Sequence, residues 1–177
     1  MFISKLEIEN FKTVCEKETL VFHKGLNVIT GANGVGKSNI LDSIGFVFGK
    51  KDKRVDHNGF FFNKKNDSGK SIVKITTNDN QTIARVLKQC ASGRTISKYY
   101  INGKLSIKAQ VSNFARQIDT QIIDDCGICM NLKEAENYAK KLKRLAKNTQ
   151  IIAVCISRPN GSPIIEAADK IHKIGKI

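Results

Sequence analysis

Gly31-Ala32-Asn33-Gly34-Val35-Gly36-Lys37-Ser38 fits the spacing G-x-x-x-x-G-K-[ST] at every fixed position. Its flanks give that spacing its meaning. Leu26-Asn27-Val28-Ile29-Thr30 reads as an apolar strand, and the run from Ser38 to Phe48 puts Ile40, Leu41, Ile44, Val47 and Phe48 on one helical face, closed by Gly49. Strand, glycine-rich turn and helix is the order a phosphate-binding loop requires. Glycines let backbone N–H groups curl around phosphate oxygens with no Cβ in the way. The helix that follows aims its positive dipole end at those oxygens. In such a loop Lys37 reaches the β- and γ-phosphates and the Ser38 hydroxyl ligates Mg²⁺. Gly31, Asn33, Gly34, Val35, Gly36 and Asn39 are the candidate cradle residues. The competing reading, a glycine-rich turn matching by chance, leaves the flanking strand and helix unexplained.

A loop of this kind needs an acidic element to hold Mg²⁺ and position water. Ile122-Ile123-Asp124-Asp125 at the end of a short apolar strand is the candidate. Asp124 is expected to hold the metal through its water shell, and Asp125 to orient or deprotonate the attacking water. The plainer alternative is a pair of solvated carboxylates at a strand end.

Around this centre the chain alternates between strand and helix signals. Residues 2–9 alternate as a half-buried strand, and Leu20-Val21-Phe22 is a second short one. Residues 50–74 are basic and broken, with Phe60-Phe61-Phe62 expected to dock the segment on the core. The runs 72–77, 82–88 and 96–101 read as an antiparallel meander, with Asn102-Gly103 a hairpin signal. Residues 107–118 suit a short helix. From 132 to 147 an amphipathic helix carries Leu132, Ala135, Tyr138, Leu142 and Leu145 on one stripe, with six Lys/Arg over the rest. Residues 151–156 form a buried strand, Ser162-Pro163 is a helix start, and a last short strand covers 171–174. The fold class is α/β: a P-loop NTPase mixed sheet with an antiparallel β lobe, over a single domain 1–177.

Composition bounds the function. With 177 residues, 41% hydrophobic and only 2 prolines, the chain excludes collagen-like and low-complexity classes. Against 16 Asp+Glu stand 30 Lys+Arg, a formal net charge of +14, which selects anionic partners: nucleotide phosphates, nucleic acid, anionic lipid or an acidic protein. The start, MFISKLEIENFK, carries Lys5, Glu7 and Glu9 where an export signal needs an apolar run, and the longest apolar run, 151–156, is far too short to span a bilayer. The expected compartment is cytoplasmic, nucleoid or nuclear, with no membrane. Five cysteines, an odd number, suit reduced thiols. Cys126-Gly127-Ile128-Cys129 is a C-x-x-C, but Cys15, Cys90 and Cys155 are too scattered to supply a second pair for zinc.

At this point the chain resembles the SMC/Rad50 branch of the ABC-type ATPases, specifically an SMC head. The residues that carry the likeness are Phe2 to Lys12 with its "NFK" exit, the block Gly25 to Asp42, Phe46-Val47-Phe48-Gly49, the Tyr99-Tyr100-Ile101-Asn102-Gly103-Lys104 hairpin, and Ile122 to Asp125 as Walker B. Gln150 to Ile156 resembles the following sheet strand, and Ala167-Ala168-Asp169-Lys170-Ile171 resembles the helix that closes such a head. The resemblance implies ATP and Mg²⁺ as cofactors and work in chromosome or DNA maintenance, segregation or repair. It also implies two more phosphate neighbours, Lys12 and Arg54, for which the alternative is a solvated basic loop.

The departures from the family matter as much. Coiled coil and hinge are absent between the two lobes, no L-S-G-G-type signature occurs, the usual Walker B glutamate is Asp125, and Ile156 or Ser157 stands at the place of the switch histidine. ATPases of this type hydrolyse ATP in a sandwich dimer closed by the partner's signature. The expectation is therefore ATP/Mg²⁺ binding with hydrolysis that is slow or depends on a signature-bearing SMC/Rad50-like partner. Two other readings stay open. One is a non-catalytic nucleotide-binding module docking on a full-length SMC/Rad50-like protein. The other is a basic DNA-binding protein with a vestigial P-loop, its DNA-facing set being Lys64, Lys65, Lys70, Lys140, Lys141 and Lys143.

Overall fold

The computed structural model describes residues 1–49, 69–92, 94–124, 126, 130–156 and 162–175. In chain order the elements are β1 (Ile3–Glu9), β2 (Glu18–Val21), β3 (Leu26–Gly31), α1 (Lys37–Val47), β4 (Lys70–Thr77), β5 (Thr82–Gln89), β6 (Thr95–Ile101) and β7 (Lys104–Ser106). There follow α2 (Lys108–Ala115), β8 (Thr120–Ile123), α3 (Leu132–Leu145), β9 (Gln150–Ile156), α4 (Pro163–Glu166) and β10 (Lys170–Lys173). They fall into two compact units. The first is built mainly from Ile3–Val21 and Asp42–Ile118, the second from Phe22–Leu41 and Asp119–Ile177.

The first unit is an antiparallel sheet ordered β2-β1-β4-β5-β6-β7. Its pleat is legible in burial: along β4, Ser71, Val73, Ile75 and Thr77 are buried while the residues between them are not. Ile3, Leu6, Ile8, Ile83 and Leu87 line the same core, and the rings of Phe11 and Phe46 pack 5.1 Å apart. Arg85 lies over Phe46 and Tyr99 and donates to the Phe46 carbonyl at 3.0 Å, pinning the end of α1. The β6–β7 hairpin turns at Asn102 and Gly103, whose φ values of 51° and 77° suit a type I′ turn.

The second unit is an all-parallel sheet ordered β10-β3-β9-β8. β3 sits inside it, with Leu26 opposite Ile151 and Asn27 opposite Lys170. Leu26, Val28, Ile151, Ala153 and Cys155 form its core with Ala139, Leu142 and Ala146. The α/β class with an antiparallel lobe is thus observed, with the two strand senses kept in separate sheets.

Two sequence readings need correction. The apolar stripe of α3 is rotated from the expected one: Ala135, Ala139 and Leu142 are buried, whereas Leu132 is 63% exposed and Leu145 39%. Ala139 and Leu142 pack in one cluster with Leu26, Val28, Ile151 and Ala153, and the two leucines are left exposed. Ala167 to Ile171 do not continue a helix: α4 is a single turn ending at Glu166, and Lys170 already pairs with Asn27 as the start of β10. The Ser162-Pro163 helix start is observed: Ser162 is the N-cap of α4 and Pro163 its first residue, with no side-chain cap bond. The expected docking of Phe60–Phe62 falls outside the described residues. Among the described residues no helix is long and apolar enough to cross a membrane.

Candidate functional site

The glycine-rich loop leaves β3 at Gly31 and enters α1 at Lys37, both in the second unit. Its glycines are required by geometry. A Cβ on Gly31 would meet the Ile174 carbonyl oxygen at 2.5 Å and Val35 Cγ2 at 3.2 Å. Gly36 has φ +100°, a conformation L side chains rarely adopt. Ala32, Asn33 and Gly34 form the exposed crest, and the Asn39 amide closes the first turn on the Gly36 carbonyl at 3.0 Å.

Lys37 is buried to 7% exposure, yet its ammonium is satisfied: Nζ donates to the carbonyls of Gly31 at 2.9 Å and Ala32 at 2.7 Å. The charge therefore sits at the mouth of the loop, held by groups the loop itself supplies. Ser38 Oγ donates to Asp124 Oδ1 at 3.4 Å, a long-range contact that brings the loop and the β8 end together. Register explains it. β8 pairs with β9 and β9 with β3, so residues just past the carboxyl ends of β3 and β8 lie at the same edge of the sheet. A hydroxyl and a carboxylate this close offer hard oxygen donors suited to Mg²⁺. The residues present fit that ion.

The other expected residues are placed as follows. Lys12 belongs to the first unit, where it has φ 52° and forms a short ion pair with Asp42 of α1. Arg54 and Asp125 lie outside the described residues, as do Lys64, Lys65 and Cys129. Cys126 is buried and donates its amide to the Val154 carbonyl at 2.7 Å. Beside it, hydrogen bonding to Cys126 and burial push the Cys155 thiol up. Among the described residues no cluster of three His, Cys, Asp or Glu side chains forms a metal cage.

Sequence reading missed the polar clamp that fixes the root of β3. Asn27 is fully buried; its Nδ2 donates to the His23 carbonyl at 2.8 Å and to Ile151 O at 3.3 Å, and its Oδ1 accepts from the His23 amide. Gln150 Nε2 also donates to the His23 carbonyl, at 2.9 Å. Asp169 Oδ2 accepts from the Leu26 amide at 2.8 Å, and the same carboxylate pairs with Lys143. The available signal was an asparagine inside an apolar strand. These groups align the strand that delivers the loop.

Comparison with known proteins agrees with this architecture. The RecF/RecN/SMC N terminal domain matches residues 2–123. A chromosome partition protein Smc from Thermoplasma acidophilum is 33% identical over 114 residues, covering 62% of this chain and 10% of its own length. Structural maintenance of chromosomes protein 4 from Saccharomyces cerevisiae is 27% identical over 201 residues, covering 94% of this chain and 13% of its own length. The chain thus spans about a tenth of the length of these curated relatives. The SMC head domain from Thermotoga maritima superposes over 100% of this chain and 96% of that one with TM-score 0.79, at 19% identity, a likeness of fold. With more than half of its residues matched, this chain is a member of the RecF/RecN/SMC N terminal domain family.

Proposed function

We propose that this chain binds ATP with Mg²⁺ at residues 31–39 and serves an SMC-type protein of chromosome maintenance, acting at the nucleoid or in the nucleus. The observation that supports the reading best is the pairing of Ser38 with Asp124 beneath a loop whose mouth holds the Lys37 ammonium. In this reading the amides of the loop bind phosphate oxygens, and Lys37 turns from the Gly31 and Ala32 carbonyls to the β- and γ-phosphates. Ser38 ligates the metal and Asp124 holds its water shell. Mg²⁺, when bound, neutralises charge on the β- and γ-phosphate oxygens. Asp125 orients the attacking water, with a carboxylate set back by about 1.5 Å, one C–C bond, from where a glutamate would place it; a shift near 1 Å costs on the order of 10²-fold in rate. Lys12 and Arg54 are the remaining phosphate neighbours implied by the family. Hydrolysis is slow or waits for a signature-bearing head of a second SMC-like molecule.

Titration with a fluorescent ATP analogue tests the site. Lys37→Ala is expected to weaken binding by about tenfold or more, the loss of a charge-assisted hydrogen bond, with the circular dichroism spectrum unchanged. Equal affinity in the variant sinks the reading. Turnover near or above about 1 s⁻¹ by the purified chain alone, an ordinary enzyme rate, defeats the claim of slow or partner-dependent hydrolysis. Addition of a signature-bearing SMC head separates the catalytic reading from a nucleotide-binding module that never hydrolyses.

A further inference from the structure

Among the described residues, one edge of the antiparallel sheet has no strand beside it. β7 is the last strand in the order β2-β1-β4-β5-β6-β7. In a two-residue hairpin the pair flanking the turn, here Ile101 and Lys104, is hydrogen-bonded, so the next pair, Tyr100 and Leu105, is not. The N–H and C=O of Leu105 therefore point away from β6, toward an edge where no described strand lies.

The side chains around that edge are as unusual as the backbone. Leu105 is 67% exposed and Ile107, which prolongs β7 in extended conformation (φ −97°, ψ 157°), is 65% exposed. By register they share a face with Tyr100, Lys98 and Ile96 of β6. Next to them a cavity of about 480 Å³ is lined by residues including Lys98, Tyr99, Leu105, Ile107, Lys108 and Gln110. Natural sheets blunt a free edge with charge, proline or a bulge. Here lysines flank the edge at 98, 104 and 108, but leucine and isoleucine occupy its exposed face.

Charge identifies the occupant. Residues 80–118 hold no Asp or Glu and seven Lys/Arg (Arg85, Lys88, Arg94, Lys98, Lys104, Lys108 and Arg116), half of the net +14 of the whole chain. A second copy of this chain would set seven cations against seven. Residues 50–68 of the same chain, with six Lys/Arg and three Asp, carry the wrong sign as well. Duplex DNA matches the charge but leaves the apolar face and the outward backbone groups unmet, since its surface offers phosphates and not N–H or C=O groups in a row. An extended acidic peptide satisfies all three demands: its backbone completes the ladder, alternate apolar side chains cover Leu105 and Ile107, and carboxylates meet the lysines.

We propose that the β7 edge is a docking site for an extended protein segment of alternating acidic and apolar residues, bound by strand addition beside Leu105.

Selection of displayed 12-residue peptides on the immobilised chain tests this. The expected winners alternate Asp/Glu with apolar residues. Their affinity is expected to fall about tenfold or more with Leu105→Lys, and likewise with Lys104→Glu combined with Lys108→Glu. Because Leu105 is exposed, its substitution is expected to leave the thermal midpoint unchanged, which separates lost docking from lost folding. Four outcomes overturn the proposal: selection that enriches no such pattern; winners indifferent to Leu105→Lys; displacement of the winners by a short DNA duplex at equal concentration, which makes the edge a nucleic-acid surface; and dimerisation of the chain abolished by Leu105→Lys, which assigns the edge to a second copy.

Discussion

Lys37 and Ser38 lie next to each other in the chain and do different work, because helical geometry sends one side chain back into the loop and the other across to Asp124. That division makes the site testable residue by residue. Asp125→Glu is expected to raise ATP turnover by on the order of 10²-fold when a signature-bearing partner head is present, because it restores the missing methylene; a phosphate-release assay that finds no gain removes Asp125 from the chemistry. Away from the loop, Glu7 shows what one buried-edge carboxylate does for the sheet. It faces Lys17 at 2.8 Å, Lys74 at 3.4 Å and Lys5 at 3.5 Å. The hydrogen bond from Lys17 outweighs the cost of burial, and the Lys74 and Lys5 charges add to it, holding the Glu7 carboxyl down at about 2 against an ordinary 4.5. A depressed carboxylate contributes stability that is complete above pH 4.5 and is lost as the pH falls toward 2. Thermal melts of the wild type and Glu7→Gln are therefore expected to differ most above pH 4.5 and to converge as the pH approaches 2. A gap that stays constant across that range rules out the ionised carboxylate as its source.

At the level of elements, the sequence was most readable where a local rule sets the structure. The phosphate loop, α1, the meander and the Asn102-Gly103 turn follow from periodicity and turn chemistry over fewer than a dozen residues each, and they appear where expected. What stayed hidden depends on partners far along the chain. The rotation of α3 is set by which residues the β3–β9 surface accepts, and the order β10-β3-β9-β8 by pairings no window of sequence contains. Asn27, Gln150 and Asp169 looked like ordinary polar residues until their bonds to His23 and Leu26 were known. Asp125 and Arg54, both part of the expected site, lie outside the described residues. α3 itself gives two checks. Its capping box joins Asn131 Oδ1 to the Glu134 amide and Glu134 Oε2 to the Asn131 amide, both at 2.9 Å. Asn131→Ala is expected to cost about 1 kcal/mol in denaturant unfolding, and Leu142→Ala, on the buried face of the helix, about 2–5 kcal/mol. A cost for Leu142→Ala no larger than that of an exposed Leu132→Ala contradicts the observed rotation.

For the whole molecule, the surplus of cations raises the question of duplex DNA as a second anionic ligand beside the proposed ATP. Backbone contacts to DNA release counterions, so binding through the exposed Lys140 and Lys141 of α3 is expected to weaken steeply between 50 and 200 mM salt. A flat response in fluorescence anisotropy leaves ATP and protein partners as the targets of the charge.

The position of β3 carries a further consequence, in the timing of folding. The meander of the first unit joins neighbours in sequence, β4 to β5 to β6 to β7, so short loops suffice to close it. β3 has only late-arriving neighbours: it pairs with β9 and β10, and Asn27 reaches its partner Ile151 across 124 residues. Closing so long a loop is entropically costly and slow. As the chain leaves the ribosome, β3 therefore waits, without a strand on either side, until β9 and β10 have been made. The phosphate loop is made well before β9 and β10 and takes shape only after them, so the proposed nucleotide site is complete only once those strands have locked β3 in place.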